Sequence, residues 1–278
     1  MKKFAPAKVN LALNVNGVND RGYHDLDMIM VPLSLCDEID IELNNAQEDD
    51  VEFIDLCVPD ENTVTKALRL LREKCKITHH YTIKVVKNIP EQAGLAGGSA
   101  DAAAVLSAIN ELEGLDLSKS ELIELGQQVG ADVPFCLINE SARVQGIGEK
   151  ITRIDTDWCF DFLLVKPNKG VSTPLAFKKW DEGDRRQWNV DAIEQAMIVK
   201  DHDQLMNSMV NALEEAAIEL VPEIADIECL ALKLGADRAM MTGSGSAVMI
   251  FSKSGSVLQR IEKEMKKKYP FVQIVQAG

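Results

Sequence analysis

The chain has 278 residues, 46% of them hydrophobic, and a formal net charge of −14. This length fits one large or two modest domains with a proper core. The negative charge argues against nucleic acid as the main partner. No stretch is long and apolar enough to span a membrane, and the N-terminus lacks the apolar segment of a signal peptide. We therefore expect no membrane partner, and the sequence leaves protein partners unknown.

The six cysteines are widely scattered and form no Cys-x-x-Cys pair, and the four histidines complete no metal-binding spacing with them. Unpaired cysteines are typical of proteins from reducing compartments. We therefore expect buried free thiols, a cytoplasmic location and no metal site built from the chain's own side chains.

The hydrophobic pattern predicts strands and helices in irregular alternation. Strands are expected at residues 4–16, 28–35, 38–43, 81–86, 134–137, 160–165 and 272–275, with two more around a glycine turn within 240–251. Helices are expected at 62–75, from the loop near 94 to about 113, at 118–129, within 180–215, and at 222–234 and 258–269. The absence of regular βαβ spacing favours the α+β class over a doubly wound sheet. The sequence pattern changes near residue 155, which predicts two domains, 1–154 and 155–278.

The segment PEQAGLAGGSAD, from Pro90 to Asp101, joins a predicted strand to a predicted helix. Its glycines allow the backbone to fold around an anion, and the first N–H groups of the helix would point at that anion. It is neither a Walker A loop nor a dinucleotide fingerprint. The pattern predicts a phosphate-binding loop, although an ordinary strand–helix corner with Ser99 as the N-cap fits as well. Asp101 would repel a phosphate unless its side chain points away.

Two segments near the N-terminus carry candidate site residues. Lys8 and Asn10 project from the same face of the first strand, and the alternative is a solvated face. Tyr23 and His24 offer a stacking plane and a hydrogen-bonding edge. A turn with a partly buried histidine is the alternative there.

Two later segments have the same ambiguity. Asp132 lies between a helix end and a predicted apolar strand, where it fits a catalytic acid or a capping or turn residue. The turn Gly243-Ser244-Gly245 can offer backbone N–H groups to an anion, or it can close a plain hairpin.

Taken in order, these segments resemble those of the GHMP small-molecule kinases over nearly the whole chain. The segments that carry the resemblance are PAKVNLAL, GYHDL, GLAGGSADAA and GIGE. The first three are similar to the 4-diphosphocytidyl-2-C-methyl-D-erythritol kinase branch. The resemblance implies a two-domain α+β fold with a left-handed βαβ crossover in the N-terminal domain and a ferredoxin-like C-terminal domain. It also places the active site in the cleft between the domains.

The same resemblance implies transfer of phosphate from ATP, with Mg²⁺, to the 2-hydroxyl of a cytidine diphosphate sugar-alcohol, in non-mevalonate isoprenoid biosynthesis. Asp132 and Lys8 are the implied catalytic pair. The implied ATP-binding residues are Pro90, Gly94, Leu95, Ala96, Gly97, Gly98, Ser99, Ala100, Lys87 and Asn62. The implied substrate-binding residues are Asn10, Tyr23, His24, Phe177, Gly243, Ser244 and Gly245.

The chain departs from the family pattern after the GYH segment, where relatives often have an aromatic residue and this chain has Met28, Ile29 and Met30. One wall of the cytosine pocket is therefore expected to be softer, with a thioether in place of a ring. Two alternatives remain. One is a GHMP kinase of the mevalonate or homoserine type. The other is a non-catalytic ligand sensor on the same fold, against which the presence of both Lys8 and Asp132 argues.

Overall fold

The computed structural model describes all 278 residues and divides the chain into two compact units. Unit 1 comprises Met1–Ala7, Leu35–Ile89 and Ala96–Asn139, and unit 2 comprises Lys8–Ser34, Pro90–Leu95 and Glu140–Gly278. The units are interleaved along the chain, so the division into 1–154 and 155–278 stays a prediction about chain segments.

The secondary structure is mixed, as the α+β prediction requires. The strands are β1 (Lys2–Val18), β2 (His24–Asn44), β3 (Asp50–Ile54), β4 (His80–Val86), β5 (Ala142–Gly146), β6 (Lys150–Arg153), β7 (Phe160–Lys166), β8 (Val210–Asn211), β9 (Arg238–Met241), β10 (Val248–Phe251) and β11 (Phe271–Ala277). The helices are α1 (Thr63–Cys75), α2 (Gly97–Leu112), α3 (Lys119–Val129), α4 (Val133–Ile138), α5 (Thr173–Asp181), α6 (Asp191–Val199), α7 (His202–Ser208), α8 (Glu214–Leu220), α9 (Glu223–Lys233) and α10 (Gly255–Met265). None of these helices has the length and apolar character needed to cross a membrane.

In unit 1, helices cover a small sheet made from β3, β4 and the C-terminal part of β2. Strands β3 and β4 pair in parallel, and α1 provides the crossover connection that parallel strands need. The other edge of β4 pairs antiparallel with β2, from Glu38 opposite Val86 to Asn44 opposite His80. The βαβ unit is therefore present, and its left-handed sense stays a prediction.

Helix α2 lies in the core of unit 1. Every residue from Ala100 to Ala104 is buried, including Asp101. A helix that is apolar on nearly all sides packs within a core rather than at its edge, and the alanines let its neighbours approach closely. The start of α2, which carries the glycine loop, is consequently fixed by a well-packed helix.

In unit 2, strands β7, β9, β10 and β11 form an antiparallel sheet in the order β11-β7-β10-β9. Helices α5–α9 connect β7 to β9, and α10 connects β10 to β11. This β-α-β-β-α-β arrangement confirms the ferredoxin-like prediction. On one face of this sheet Phe162 and Phe251 stack with ring centroids 4.9 Å apart.

Two sequence-based assignments are wrong in detail. The strands expected at 28–35 and 38–43 form one continuous strand, β2. The segment 134–137, expected as a strand, is helix α4. The fixed φ of Pro134 suits the first turn of a helix, and a short apolar run does not by itself distinguish a strand from a buried helix.

The cysteines are free, as expected, but the expectation that they are buried is wrong. Cys57, Cys159 and Cys229 are exposed and the other three are half-buried. Their scattered spacing indicates only that they are unpaired and carries no information about depth.

Candidate active site

Helix α2 begins in unit 1 without a side-chain cap. Its N-cap is Ala96, in the left-handed region at φ +58°, and not Ser99 as the corner alternative required. Ser99 lies within the first turn, where its N–H donates to the carbonyl of Ala96. The first N–H groups of an uncapped helix are left for an external acceptor, and the helix dipole makes that acceptor an anion.

The carboxylate of Asp101 is buried and paired. Lys87 Nζ lies 2.6 Å from Asp101 Oδ2 and also contacts Asp37 Oδ2. The second oxygen of Asp37 accepts from the backbone N–H groups of Asn88 and Ile89, at 2.6 and 2.8 Å. The structure thereby removes the repulsion between Asp101 and a bound phosphate, because the acid is turned inward beside a cation.

Burial dominates the electrostatics of this cluster. It raises the pKa of Asp101 to about 7, and the charge of Lys87 opposes this shift without cancelling it. Burial also disfavours a charged Lys87, but Asp101 and Asp37 outweigh that effect, so the pKa of Lys87 is raised. Lys87 therefore stays charged while Asp101 titrates near neutral pH.

The side chain of Lys87 is largely buried within this cluster, with only 13% of it exposed. It lies directly under the glycine loop, because an ideal Cβ on Gly97 would be 3.2 Å from Lys87 Nζ. The carbonyl of Gly98 accepts from Thr63 Oγ1 at 2.6 Å, which ties the loop to the start of α1. Asn62 caps α1 by accepting from the N–H groups of Val64 and Thr65. The adenine-side roles of Lys87 and Asn62 stay predictions. In the structure Lys87 pairs with two carboxylates and Asn62 caps α1.

Asp132 precedes α4 in unit 1 and is half-buried. Its side chain makes no capping hydrogen bond, which excludes the capping alternative. Asp132 does lie in a turn, so its catalytic role stays a prediction. An ideal Cβ on Gly130 would lie 3.7 Å from Ser99 Oγ. The turn that carries Asp132 is therefore adjacent to the first turn of α2.

In unit 2, Lys8 and Asn10 form a buried pair on β1. They are 4% and 1% exposed, which excludes a solvated face. Lys8 Nζ donates to Asn10 Oδ1 at 2.8 Å, and the backbone N–H of Asn10 donates to Thr242 Oγ1 at 2.8 Å. Asn10 Nδ2 donates to the sulfur of Met28 at 3.2 Å. Met28 and Met30 are both buried, and the expected softer wall of the cytosine pocket stays a prediction.

The segment around Gly94 contacts the turn around Gly243 backbone to backbone. An ideal Cβ on Gly94 would overlap the carbonyl oxygen of Thr242, and one on Gly243 would lie 2.6 Å from the carbonyl oxygen of Gly94. Both glycines have positive φ, at +78° and +57°. The carbonyls of Gln92 and Ala93 accept from the N–H groups of Ser246 and Ala247, each at 3.2 Å. Two motifs that are far apart in sequence are thus joined within unit 2.

The aromatic candidates are brought together only in part. His24 and Phe177 stack, with ring centroids 4.4 Å apart. Tyr23 is 59% exposed and stacks on no other ring. The hydroxyl of Ser244 hydrogen-bonds that of Thr173, the first residue of α5.

Three residues were missed by the sequence reasoning. Thr242 holds the backbone of Asn10, Asp37 holds Lys87, and Asp181 pairs with His24. Only Asp37 gave a signal, because it is an acid within an apolar strand. The other two pair with residues more than 150 positions away, and no local pattern encodes such contacts.

Comparison with known proteins supports the same grouping. The family profile described as "GHMP kinases N terminal domain" matches residues 62–140, and "GHMP kinases C terminal" matches residues 191–270. The chain is 37% identical over 259 residues to a 4-diphosphocytidyl-2-C-methyl-D-erythritol kinase of Bacillus pumilus, covering 92% of this chain and 90% of the relative. It is also 37% identical over 266 residues to the kinase of the same name from Bacillus cytotoxicus, covering 94% and 91%.

A crystal structure described as 4-(cytidine 5'-diphospho)-2C-methyl-D-erythritol kinase has the same fold. It superposes with a TM-score of 0.84 and 29% sequence identity, over 100% of this chain and 99% of the other. Together with the uncapped start of α2 and the buried Lys8–Asn10 pair, these similarities define the family. The chain belongs to the GHMP kinases, and within them to the family of 4-diphosphocytidyl-2-C-methyl-D-erythritol kinases.

Proposed function

We propose that this protein transfers the γ-phosphoryl group of ATP to the 2-hydroxyl of 4-diphosphocytidyl-2-C-methyl-D-erythritol, in the non-mevalonate route to isoprenoid precursors. The observation that carries the kinase part is the start of α2, an uncapped helix end beside which Asp101 is buried and paired with Lys87. The substrate comes from the two Bacillus relatives, which bear that kinase name. We place the reaction in the cytoplasm, with no nucleic-acid partner.

The phosphates of ATP would bind at the segment from Gly94 to Ala100. Phosphoryl transfer has a loose transition state, so positioning and neutralisation of charge supply most of the catalysis. Backbone N–H groups that are already oriented need no rearrangement during the reaction. The buried helix α2 supports such an arrangement, because its core packing holds those groups in place.

Mg²⁺ fits this site as a partner of the nucleotide. The chain contains no group of three or more His, Cys, Asp or Glu side chains that could hold a metal ion. Mg²⁺ in phosphoryl-transfer enzymes is commonly held by one or two carboxylates together with the phosphates, and in some of them by a Ser or Thr hydroxyl of the phosphate loop. Ser99 Oγ, beside the turn of Asp132, is the oxygen we propose for this contact. The bound ion would neutralise charge on the transferred group.

Asp132 is the proposed base and Lys8 its proposed partner. A substrate alcohol is far less acidic than a carboxylic acid, so Asp132 would orient the hydroxyl and accept its proton as the bond to phosphorus forms. The ammonium of Lys8 would steady the charge that develops on the attacking oxygen. Asn10, which holds Lys8 Nζ at 2.8 Å, would fix that ammonium and bind polar groups of the substrate.

The nucleotide part of the substrate would bind in unit 2. Tyr23 would stack on the cytosine and His24 would hydrogen-bond it, with Phe177 behind the imidazole. The backbone of Gly243, Ser244 and Gly245 would contact the diphosphate.

The test is ATP consumption by the purified protein with this substrate and Mg²⁺, with mevalonate and homoserine assayed in parallel. Turnover of the cytidylated substrate alone supports the proposal. Turnover only with another alcohol would retain the chemistry and reject the substrate. Saturable binding without any turnover would make the protein a ligand sensor.

Asp132→Asn supplies the matched variant for this assay. The amide keeps the shape of the side chain but cannot accept the proton, so we expect kcat to fall by roughly 10²–10⁴-fold. Circular dichroism should show an unchanged fold, because the side chain does not cap α4. Turnover close to that of the unsubstituted protein would remove Asp132 from the mechanism.

A further inference from the structure

One face of helix α5 holds the imidazole of His24. Phe177, Trp180 and Asp181 are spaced i, i+3 and i+4, which places them on the same side of the helix. Phe177 stacks on the imidazole at 4.4 Å, and Trp180 meets it edge-on at 5.7 Å. Asp181 Oδ1 and Oδ2 lie 3.1 and 3.2 Å from His24 Nε2. The imidazole is thus fixed in both orientation and hydrogen bonding.

Asp181 is itself held in place. Arg185 Nη2 donates to the backbone carbonyl of Asp181 at 3.2 Å and lies 3.5 Å from Asp181 Oδ1. The guanidinium of Arg185 also lies over the ring of Trp180, at 5.5 Å. The carboxylate of Asp181 is 35% exposed and could therefore point into solvent, but it faces His24.

This contact determines which ring nitrogen of His24 carries the proton. A carboxylate only accepts hydrogen bonds, so Nε2 must be the donor, and in a neutral imidazole Nδ1 is then an acceptor. Nδ1 has no hydrogen-bond partner in the chain and is not among its buried unpaired atoms. It is therefore reachable by a ligand.

Cytosine and uracil differ at the 4-position, where cytosine carries an amino group that donates and uracil a carbonyl that accepts. An acceptor at Nδ1 of His24 complements the amino group of cytosine and repels the carbonyl of uracil. We propose that Asp181 is a positioning residue that fixes His24 as an acceptor, so that the protein selects a cytidine over a uridine substrate. This inference rests on the proposed function and assigns its base specificity to an acid on α5.

The experiment compares the natural substrate with the same molecule carrying uracil, at about pH 8, where an ordinary imidazole is neutral. In Asp181→Asn the amide can face Nε2 with either its oxygen or its NH₂, so the tautomer is no longer fixed. We expect the cytidine-over-uridine ratio of kcat/KM to fall roughly tenfold, the value of one well-placed hydrogen bond. KM for the cytidylated substrate should rise while kcat and KM for ATP stay unchanged.

Two further variants separate charge from position. Asp181→Glu keeps the carboxylate and should recover part of the selectivity. Asp184→Asn removes an exposed acid three residues further on, whose carboxylate makes no hydrogen bond or ion pair, and should change nothing. An unchanged ratio in Asp181→Asn, or an equal loss in Asp184→Asn, would overturn the inference.

Two measurements do not depend on turnover. Calorimetric binding of CDP and UDP reports base selectivity directly, so a preference for CDP that is lost in Asp181→Asn supports the inference even if the proposed reaction fails. Nitrogen-15 NMR of the unsubstituted protein should show His24 as the Nε2–H tautomer, with the signal assigned by its loss in His24→Gln. A neutral His24 in the Nδ1–H form would contradict the inference without requiring any variant of Asp181 to fold.

Discussion

At Gly94 the need for glycine arises from backbone contact and not from flexibility. The residue has φ +78°, and the space that a side chain would occupy is filled by the carbonyl of Thr242. Backbone atoms cannot move aside as the end of a long side chain can. Both glycine segments are recognisable in the sequence, but their contact is not, since sequence patterns describe local geometry alone.

Gly94→Ala should therefore be strongly damaging. Both the left-handed backbone and the overlap oppose the added methyl group, so we expect a loss of stability of about 1–3 kcal/mol or more from the strained backbone alone. Urea unfolding measures it. Gly255→Ala is the control, because a Cβ there meets nothing within 4 Å and alanine is the better helix former. Equal stability of the two variants would contradict the contact.

At the scale of elements, the start of α2 depends on a strand that is distant in sequence. Asp37 on β2 and Lys87, just after β4, place a cation beside Asp101. The sequence correctly predicts a strand, a glycine loop and a helix at this position. The sequence shows that Asp101 lies near a predicted phosphate site. It does not show that Lys87 neutralises this acid, because that contact requires strands β2 and β4 to be paired.

Lys87→Met should be much more destabilising than Asp101→Asn. Removing the cation leaves two buried acids without a counter-charge, a loss of about 3–5 kcal/mol. Asparagine resembles the protonated form of Asp101, whose pKa of about 7 already makes that form common at neutral pH. Urea unfolding of both variants checks the order, and Lys84→Met, an exposed position on β4, is the matched control. A larger loss in Asp101→Asn than in Lys87→Met would contradict this account.

At the scale of the whole molecule, the order of motifs along the chain predicted the fold and the family better than any single motif did. Taken singly, Lys8 and Asn10 fitted a solvated strand face, and Asp132 fitted a helix cap. The burial of Lys8 and Asn10 excludes the solvated face, and the missing capping hydrogen bond of Asp132 excludes the helix cap. The interleaving of the two units could not be predicted. It depends on β1 and β2 contributing to both units, which is a property of long-range pairing and not of local composition.

The pH dependence of global stability depends in part on a half-buried carboxyl pair, Glu214 on α8 and Glu228 on α9. Burial, followed by the neighbouring Glu214, raises the pKa of Glu228 to about 9, and burial also raises the pKa of Glu214. Glu214 Oε1 accepts from the N–H of Met241 at 2.7 Å, immediately before Thr242. The proton held by Glu228 therefore supports the strand end that contacts Asn10.

Because its pKa is raised on folding, Glu228 binds a proton in the folded protein that it loses more easily in the unfolded chain. Its contribution to stability is complete below the ordinary glutamate pKa and is lost as pH rises toward about 9. Glu228→Gln carries a permanent neutral donor, so the free energy of unfolding should decline less between about pH 5 and 9. The gain at pH 8 should be about 1 kcal/mol or more, which corresponds to one pKa unit. Urea unfolding at several pH values measures the slope, with the exposed Glu223→Gln as control. A slope equal to that of the unsubstituted protein would mean that the carboxyl pair is not the source of this pH dependence.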